Sequence, residues 1–471
     1  MECLTKVGIR KTLKKTLSGL IRSKAAPRFE LGIKDLQSSA LPLGHAANSE
    51  CLLPLADRIS RSPENLLFLS NGHGEDLIAL QVLQALHKLQ PSLCLEVLPL
   101  VGEGKVFSSA VSEGWLQRVG PSLHLPSGGF SNQSLRGLVE DIAAGLFKIT
   151  WDQWRCIHRK VQNGRVIVAV GDCLPLFFAW LSGASFGFIG TPKSDYTWKS
   201  GPGYAISDFY HFLKGTEWDP WECALMRSSR CKMVAVRDDL TARGLKKYGV
   251  AALSPGNPMM DGLQRIALPN ALKRFRRLLL LCGSRSPEAQ ENFKRLIKAI
   301  SLVDHQVPIV ILVPLGSEPS TKQIEELLED LGYKQTSFPD HEIGEHTSWV
   351  NGSCNVFLGP GKFSLWASWS EIGLATAGTA TEQLVGLGIP ALSLPGDGPQ
   401  FKRGFAFRQS RLLGGAVMPY GNIGLLAARL KVLLTDDLLC QRLGSMGSRR
   451  MGSEGGSVAS ALLVLKLLLG H

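Results

Sequence analysis

The amino-acid sequence predicts an α/β protein built from two doubly wound, Rossmann-like domains that face a cleft. Short apolar runs alternate with helical segments, and this alternation restarts after a seam at residues 262–276. Runs that are apolar at every position are typical of parallel strands buried on both faces of a sheet. Glycines cluster beside these runs, where strand-to-helix turns need a permissive backbone.

Each predicted element follows from its own local pattern. Five predicted strands precede the seam: Leu66–Ser70, Leu95–Leu100, Arg165–Gly171, Ser185–Gly190 and Met233–Arg237. Five more follow it: Leu278–Cys282, Pro308–Pro314, Val356–Leu358, Gly373–Ala377 and Ala391–Leu394. Apolar residues at helical spacing predict four helical stretches: Ile78–Gln90, Glu288–Val303, Thr321–Leu331 and Leu425–Leu469. The two predicted domains are residues 65–262 and residues 263–471.

Residues 1–64 are predicted to be a basic leader that precedes the folded body. Apolar periodicity begins only at Asn65, and the first 30 residues carry eight lysines and arginines against Glu2 and Glu30. Four apolar residues of this region fall at helical spacing: Leu13, Leu17, Leu20 and Ile21. This composition is typical of an organelle transit peptide, so we expect a chloroplast (plastid) location, with the mitochondrion as the alternative. An ordinary disordered basic tail is the simpler explanation.

The net charge of +12 limits the classes of partner that the chain could bind, and the cysteine pattern limits its redox compartment. A basic surplus suits nucleic acid, anionic lipid or phosphorylated substrates. The body of the chain has no zinc-finger spacing, RNP-type aromatic motif or long Lys/Arg tract, so we expect no nucleic-acid partner. Ten scattered cysteines without a CxxC pair favour buried thiols in a reducing compartment over disulfides or a zinc site.

One uncharged stretch, Cys173–Pro192, is nominally long enough to span a membrane. Pro175 and several small residues interrupt it, so we expect a buried helix followed by a strand. The C-terminal run Ala461–Leu469 contains Lys466 and is too short to span. Any membrane association is therefore expected to be peripheral.

The first polar motif, SNGHGED, directly follows the first predicted strand and opens a helix. Its two glycines permit a sharp turn and a close approach to a ligand, and the free N–H groups at the helix start favour an anion. Four residues are predicted to form a loop for a phosphate group or an acceptor: Asn71, Gly72, Gly74 and Glu75. The alternative is a simple helix-capping turn, with Asp76 as the cap.

Two side chains of the first domain are candidate general bases. His73 lies in the SNGHGED turn, and Asp172 follows the strand RVIVAVG. Both are expected at the carboxyl edge of the sheet, where ligands bind in such folds. An imidazole or a carboxylate at that edge can take a proton from a hydroxyl group. Capping of the next helix is the plainer role for Asp172.

Two motifs of the second domain are candidate sites for a diphosphate and its nucleoside. Gly283, Ser284 and Arg285 follow the domain's first strand, where the glycine opens a turn, the serine can cap and the guanidinium suits a diphosphate. The turn after the fourth strand contributes five residues: Gly378, Thr379, Ala380, Thr381 and Glu382. Its amides can reach phosphates, and its glutamate can accept hydrogen bonds from ribose. Asp397 and Gln400 are candidate contacts to sugar hydroxyls. A surface arginine and a capping turn are the plainer alternatives.

An aromatic segment lies between the last two strands of the first set. Its aromatic residues are Tyr196, Trp198, Tyr204, Phe209, Tyr210, Trp218 and Trp221, interleaved with Lys193, Lys199 and Lys214. Such a segment usually packs into the core and its loops. Because Trp and Lys favour the membrane interface, an acceptor pocket or a membrane-facing ridge is the alternative.

Together these motifs resemble the lipid-A-disaccharide synthases of bacteria. LLLLCGSRSPEA is similar to their GSR…E segment, TAGTATEQ to their SGTATLE segment, and Gly256–Asp261 (GNPMMD) to their GHPxxD stretch. SNGHGED, GDCLPLFFAWLSG and GTPKSDY are more similar to a lipid-A-disaccharide-synthase-related family of cyanobacteria and plastid-bearing eukaryotes. The resemblance extends from Asn65 to Ser457.

The resemblance implies a GT-B glycosyltransferase fold, with an acceptor-side domain at residues 65–262 and a nucleotide-sugar-binding domain at residues 263–471. It implies an inverting transfer of a hexosyl group from a UDP-sugar to a lipid-linked acceptor at a membrane surface. The UDP-sugar is a substrate, and no cofactor or metal is expected. By position, Arg285 and the Thr379–Glu382 turn would bind the donor, and Asp172 falls where the synthases have an acidic catalytic stretch.

Two departures from the synthases change residues of the cleft. Their first loop is typically GExSGD, where this chain has SNGHGED, and the histidine of their GHP motif is Asn257 here. The identities of the donor sugar and of the acceptor are therefore not implied by the resemblance.

Three other functions stay open on the sequence. A UDP-sugar 2-epimerase has the same architecture but needs no acceptor, which the aromatic segment mildly disfavours. A non-catalytic lipid-binding or assembly factor would have kept the fold and lost transfer, but the presence of both Arg285 and Glu382 argues against it. A basic groove that binds RNA is the least favoured of the three.

We predict that residues 1 to about 50 of the leader are dispensable for folding. A chain that begins at Pro63 should be soluble and should melt at the temperature of the full chain, because the leader lacks apolar periodicity. Differential scanning calorimetry compares the two chains, and a clear loss of stability in the shorter one would contradict the assignment. A fluorescent fusion of the leader tests targeting, which cytosolic fluorescence would reject.

Overall fold

The computed structural model describes residues 65–122, 146–263, 265–304, 307–316, 318–338, 341–396 and 401–470. All of these belong to one compact unit, Ser62–His471. Within that unit the chain forms two sheets, each with hydrophobic cores on both faces. The predicted leader, residues 1–64, lies outside the described residues.

The first sheet is entirely parallel, as its apolar strands predict. Its strands are β1 Asn65–Ser70, β2 Cys94–Pro99, β3 Leu116–Arg118, β4 Val166–Val170, β5 Phe186–Gly190, β6 Cys231–Val236 and β7 Ala252–Leu253. Its helices are α1 His73–Leu89, α2 Ser108–Ser112, α3 Leu146–Gln162, α4 Cys173–Leu181, α5 Tyr196–Lys199, α6 Ser207–Lys214, α7 Pro220–Met226 and α8 Asp239–Lys246. The strand order is β3-β2-β1-β4-β5-β6-β7.

The second sheet is parallel except at one edge. Its strands are β8 Arg276–Leu281, β9 Ile309–Leu315, β10 Lys334–Thr336, β11 Thr347–Asn351, β12 Cys354–Pro360, β13 Ile372–Ala375, β14 Ala391–Ser393 and β15 Val417–Pro419. Its helices are α9 Glu288–Ser301, α10 Thr321–Asp330, α11 Phe363–Trp369, α12 Thr379–Gly386, α13 Arg403–Leu412, α14 Ile423–Thr435 and α15 Asp437–Met451. The order is β10-β11-β12-β9-β8-β13-β14-β15, in which β11 pairs antiparallel with both neighbours.

The ten predicted strands are all present, and their ends agree with the prediction to within two residues. The stretch Cys173–Pro192 forms a helix and a strand, α4 and β5, as predicted. The strands that the sequence did not predict, β3, β7, β10, β11 and β15, lie at or next to sheet edges. They are short and partly exposed, so they lack the continuous apolar run that marks a strand buried on both faces.

Within the described residues one helical stretch, Asp437–Leu469, is long and apolar enough to cross a membrane by length and composition alone. Its first part is α15, and its second part is α16, Gly456–Val464, which continues as a π-helical turn over Leu465–Leu469. The chain leaves the helix between them, where Gly452 and Gly455 adopt positive φ angles of 81° and 102°. Each part is shorter than the ~20 residues that a membrane span needs.

The last helix, α16, packs on the first domain. It contacts α1 and the 3₁₀ turn Pro258–Met260, and a Cβ atom on Gly187 of β5 would lie 3.0 Å from Leu468 Cδ1. The predicted boundary between residues 262 and 263 assigns this helix to the second domain because of its position in the chain, whereas its contacts are with the first domain. The chain thus crosses between the domains at residues 262–276 and again at residues 452–455.

Asp261, in the GNPMMD stretch, holds the start of α16. Its carboxylate accepts hydrogen bonds from the backbone N–H groups of Gly455 at 2.5 Å and Ser457 at 2.6 Å. Gly456 lies so close to the same stretch that a Cβ atom there would meet the carbonyl carbon of Asn257 at 2.6 Å. GNPMMD is therefore the anchor that returns the C-terminal helix to α1.

We predict that Asp261→Ala lowers the free energy of unfolding by ~1–2 kcal/mol, the usual effect of removing a side chain that caps a helix N-terminus. Asp261→Asn is the matched variant, because it keeps one acceptor oxygen and should lose less. Urea unfolding followed by circular dichroism measures both. An alanine variant as stable as the parent would contradict the capping role.

Candidate functional site

The four predicted motifs lie at the two topological switch points of the structure. SNGHGED follows β1 and Asp172 follows β4, and these two strands are neighbours at the point where the order of the first sheet reverses. Arg285 follows β8 and the Gly378–Glu382 turn follows β13, which are neighbours at the corresponding point of the second sheet. Ligands of open parallel sheets bind in the crevice at such a point. The motifs therefore form two pairs, one at each crevice.

The two crevices face each other at very short range. A Cβ atom on Gly74, in the first turn of α1, would lie 3.0 Å from Thr379 Oγ1, in the first turn of α12. The carboxylate of Glu75 is close enough to Glu382 for the two charges to interact. Two helix N-termini, each the positive end of a helix dipole, thus meet across the cleft.

Asp172 belongs to the site and also caps a helix. Its Oδ1 accepts a hydrogen bond from Asn71 Nδ2 at 2.6 Å and another from the N–H of Leu174 at 3.1 Å. The second bond is the N-cap of α4, which is the plainer role expected from the sequence. A Cβ atom on Gly171 would lie 3.1 Å from Glu75 Cγ. The loops after β1 and β4 are therefore in direct contact.

Burial raises the pKa values of three carboxyl groups in this crevice. The pKa of Glu75 rises to about 8, mainly because the group is buried, and the charges of Asp172, Asp76 and Glu382 add to the rise. Burial also raises the pKa of Asp172, against the N–H of Leu174 and the charge of Lys193. Shifted carboxyl groups in a cleft are typical of sites that transfer protons.

Asp76 is not the cap of α1, contrary to the alternative expected from the sequence. The N-cap is Gly72, with a φ angle of 115°, and no side chain caps the helix there. Asp76 lies in the first turn, is 2% exposed, and accepts a hydrogen bond from the hydroxyl group of Ser70. Burial raises its pKa to about 7, although the Ser70 hydroxyl opposes the shift. The first N–H groups of α1 are thus left without a side-chain cap.

Arg285 follows β8, whose end borders the second crevice. Its side chain is half-buried and makes no hydrogen bond or ion pair with the described part of the chain. Burial lowers its pKa, and Glu288 opposes the shift. Gly283 adopts a φ angle of 98°, and a Cβ atom there would lie 3.5 Å from the carbonyl oxygen of Thr376. Ser284 does not cap, contrary to expectation, because it is exposed and α9 begins only after Pro287.

The turn before α12 is built to present its backbone. Gly378 is the N-cap without any side-chain cap, so the expected capping motif is not formed. The hydroxyl group of Thr381 donates to the carbonyl oxygen of Ala377 at 2.7 Å, and Gln409 Nε2 donates to that of Gly378 at 3.1 Å. The side chain of Thr381 therefore supports the turn, and its N–H donates to the carbonyl oxygen of Gly378 at 3.1 Å. The N–H groups of Thr379 and Ala380, at the start of the helix, have no intrahelical partner.

Arg237 is a residue of the cleft that the motifs did not identify. It follows β6 and is buried, and its Nη2 lies 3.3 Å from Glu382 Oε2 in the opposite domain. Its Nη1 donates to the carbonyl oxygen of Thr191. The only sequence signal was a charged residue at the end of an apolar strand. The glutamate expected to bind ribose is thus oriented by an arginine from the other domain.

Lys193 is a second unexpected member of the site. Its ammonium group binds both carboxylate oxygens of Glu222, at 2.7 and 2.6 Å, and lies 4.9 Å from the ring centre of Trp218. Its charge lowers the pKa of Asp172, in opposition to burial. The GTPKSDY segment therefore borders the same crevice as Asn71 and Asp172.

Three predicted site side chains lie outside the described part of the structure. His73 is the first residue of α1, but the placement of its imidazole is not described. Asp397 and Gln400 fall in the undescribed residues 397–400. The roles assigned to these three residues stay predictions.

Two Rossmann-like domains that face each other across one cleft define the GT-B fold, as the sequence predicts. Solved structures share this fold. A putative UDP-N-acetylglucosamine 2-epimerase from Listeria monocytogenes has a TM-score of 0.52 and 13% identity, over 86% of this chain and 97% of that one. A UDP-glucosyltransferase from Polygonum tinctorium has a TM-score of 0.51 and 14% identity, over 88% and 100% of the two chains.

MurG from Acinetobacter baumannii is a third such structure, with a TM-score of 0.50 and 12% identity over 86% of this chain and 100% of that one. Likeness at these identities shows the fold alone. No protein-family model matches the sequence, and no curated protein matches it. The resemblance to lipid-A-disaccharide synthases therefore rests on the motifs.

Glu75→Gln should raise the melting temperature at pH 8 and leave it nearly unchanged at pH 4.5. The pKa of Glu75 is about 8 in the folded chain, against an ordinary value of 4.5. Between these values the unfolded chain releases a proton that the folded chain keeps, so this group destabilises the fold increasingly as pH rises. A neutral glutamine removes that effect. Thermal unfolding at both pH values is the measurement.

Glu326→Gln is the matched control, because Glu326 is an exposed glutamate of α10. It should leave the difference in melting temperature between pH 4.5 and pH 8 as it is in the parent. A Glu75→Gln protein that melts below the parent at pH 8 would contradict the protonated state of this half-buried carboxyl group.

Proposed function

We propose that this protein is an inverting glycosyltransferase that moves a sugar from a UDP-sugar to a hydroxyl group of a lipid-linked acceptor. The observation that carries this is the meeting of α1 and α12 at Gly74 and Thr379, beside the carboxyl groups of Glu75 and Glu382. The shared fold with a UDP-glucosyltransferase and with a UDP complex of MnaA from S. aureus supports UDP as the nucleotide.

The second domain is assigned the donor. A diphosphate carries negative charge, which the N–H groups at the start of α12 and the guanidinium of Arg285 would both attract. Glu382 is assigned the ribose hydroxyls. Arg237 Nη2 donates a hydrogen bond to Oε2 of this carboxylate at 3.3 Å, and Oε1 makes no hydrogen bond with the described residues. The glutamate is thus held in one orientation with an oxygen left for the ligand.

The chemical step is a single displacement at the anomeric carbon. The acceptor hydroxyl loses its proton to a base as its oxygen bonds to that carbon, and the bond between the carbon and the UDP oxygen breaks. The electron pair leaves with UDP, where Arg285 and the amides of α12 stabilise the growing charge. Attack from the face opposite UDP inverts the configuration. We assign no metal or cofactor to this step.

Asp172 is the base that we favour among the described residues. Among the described residues, Asn71 and the N–H of Leu174 both donate to its Oδ1, which leaves Oδ2 to accept a proton. Glu75 has a pKa of about 8 and is therefore mostly protonated at pH 7. The carboxyl group of Glu75 therefore adds no second full negative charge beside that of Asp172. His73 is the other candidate base, on the strength of its position at the start of α1.

A UDP-sugar 2-epimerase is the second candidate, favoured by the fold shared with the Listeria epimerase and by the buried carboxyl groups beside α1. Inversion at C2 breaks a carbon–hydrogen bond, so an epimerase working in D2O would place deuterium at that carbon. Incubation with UDP-N-acetylglucosamine in D2O, without acceptor, separates the two functions. The transferase that we propose gives no C2 epimer and no deuterium incorporation.

The lipid-linked acceptor, the plastid location and the peripheral membrane association are part of the same proposal. The motif resemblance supports the acceptor, and the basic, acid-poor leader supports the location. A non-catalytic lipid-binding factor would need neither an Arg285 without an ion pair among the described residues nor an oriented Glu382, so the site disfavours that alternative.

Variants on the two walls of the cleft should separate donor binding from chemistry. Glu382→Ala and Arg285→Ala should weaken UDP binding roughly ten- to a hundredfold, because each removes a charge-assisted hydrogen bond worth ~1.5–3 kcal/mol. His73→Ala and Asp172→Asn should leave UDP affinity nearly intact and reduce turnover, because a base acts only on the acceptor. Isothermal titration calorimetry with UDP measures all four.

Lys322→Ala is the control for loss of a basic residue, since Lys322 is exposed on α10. It should bind UDP like the parent. If Glu382→Ala binds UDP as well as the parent while His73→Ala does not, the roles of the domains are reversed. If the parent binds no nucleotide or nucleotide sugar, the transferase assignment fails.

A further inference from the structure

The helix α6 turns its apolar side chains to solvent. Phe209, Phe212 and Leu213 are 70%, 71% and 68% exposed, and Tyr204 and Ile206, just before the helix, are almost fully exposed. Together with Tyr210 these residues form what we call the α6 ridge. Helices of soluble proteins normally bury such a face. An apolar group of this kind on the surface marks an interaction site.

The charged side chains of α6 face the protein. Asp208 accepts a hydrogen bond from Arg411 of the second domain at 2.6 Å. Lys214 pairs with Asp219 and donates to the carbonyl oxygen of Glu217 at 3.1 Å. The helix is therefore oriented by polar contacts on its inner side, which leave the apolar side outward.

Basic side chains border the α6 ridge. Gly215 ends the helix, and a Cβ atom on it would lie 3.5 Å from the ammonium group of Lys247. Arg227 is exposed next to this point and donates to the carbonyl oxygen of Tyr248. The carboxylates of Asp208, Glu217 and Asp219 are already paired with Arg411, Arg408 and Lys214. The charge that the border presents to solvent is therefore positive.

We propose that the α6 ridge docks on the surface of an anionic lipid bilayer. Aromatic and aliphatic side chains enter the boundary between headgroups and acyl chains, and the basic border attracts anionic headgroups. A second copy of the chain is a poorer occupant. In a two-fold symmetric dimer the basic borders of the two ridges would face each other and repel.

The ridge lies beside the proposed donor site. Glu217 pairs with Arg408 of α13 at 2.6 Å, and a Cβ atom on Gly378 would lie 3.7 Å from Phe405, in the first turn of the same helix. Docking of α6 would therefore bring the mouth of the cleft to the lipid surface. This step rests on the proposed function, because it explains how a lipid-linked acceptor would reach the site.

Sedimentation of the full chain with vesicles of mixed phosphatidylcholine and phosphatidylglycerol tests the docking surface. Phe209→Ser/Phe212→Ser/Leu213→Ser should bind these vesicles roughly tenfold more weakly than the parent, because it removes apolar area that would enter the interface. Leu302→Ser/Leu438→Ser removes apolar side chains that are 64% and 66% exposed in the second domain, and should bind like the parent. High salt should release the parent.

Five results would overturn the proposal. The first is a parent that fails to sediment with the vesicles, and the second is an α6 variant that still binds them like the parent. The third is the same loss of binding in the Leu302/Leu438 control. The fourth is a parent that self-associates when the α6 variant does not, which would favour a second copy. Phe147→Ser/Trp151→Ser tests the exposed residues of α3 as a rival surface, and loss confined to that variant would also overturn it.

Titration of each variant with UDP keeps this test separate from the proposed function. An α6 variant that binds UDP like the parent is folded, so that its loss of vesicle binding supports the docking surface. A parent that binds UDP but no vesicle overturns the docking surface and leaves the transferase assignment intact. A parent that binds vesicles but no UDP would overturn the transferase assignment and leave the docking surface intact.

Discussion

Parallel strands end at a common edge of their sheet, and the arrangement of this protein depends on that constraint. The loops after β1 and β4 are forced together at one switch point, and those after β8 and β13 at another. Gly74 then lets α1 approach Thr379 of α12 at a distance that would crowd a Cβ atom. Two positive helix ends thus border one small space, which favours an anionic ligand.

The charges around that space follow from its burial. Four carboxyl groups lie near the two helix starts, and removal from water keeps Glu75 and Asp76 protonated to higher pH than in the unfolded chain. Glu382 is instead paired with Arg237 across the cleft. Arg285 has no such partner among the described residues. The first domain therefore contributes to the cleft both carboxyl groups that hold protons and the guanidinium of Arg237.

The aromatic segment links the cleft to the surface. Arginines of the second domain hold it, through the ion pair of Arg411 with Asp208 and through Arg450, whose guanidinium lies 3.9 Å from the ring centre of Tyr196. The orientation of α6 is consequently set by the same pairing of domains that forms the cleft. The contacts between the two domains thus fix both the outward orientation of the apolar side of this helix and the position of the site.

The sequence by itself determined the two sheets and the position of each motif, because a strand buried on both faces is apolar throughout and the motif follows where it ends. The tertiary structure alone decided which polar residues meet. Arg237 reaches Glu382 from 145 positions away, a pairing that no local pattern encodes. Trp218 and Phe212 belong to one aromatic segment, yet one is fully buried and the other 71% exposed. Burial depends on what packs opposite a side chain, and only the folded chain supplies that partner.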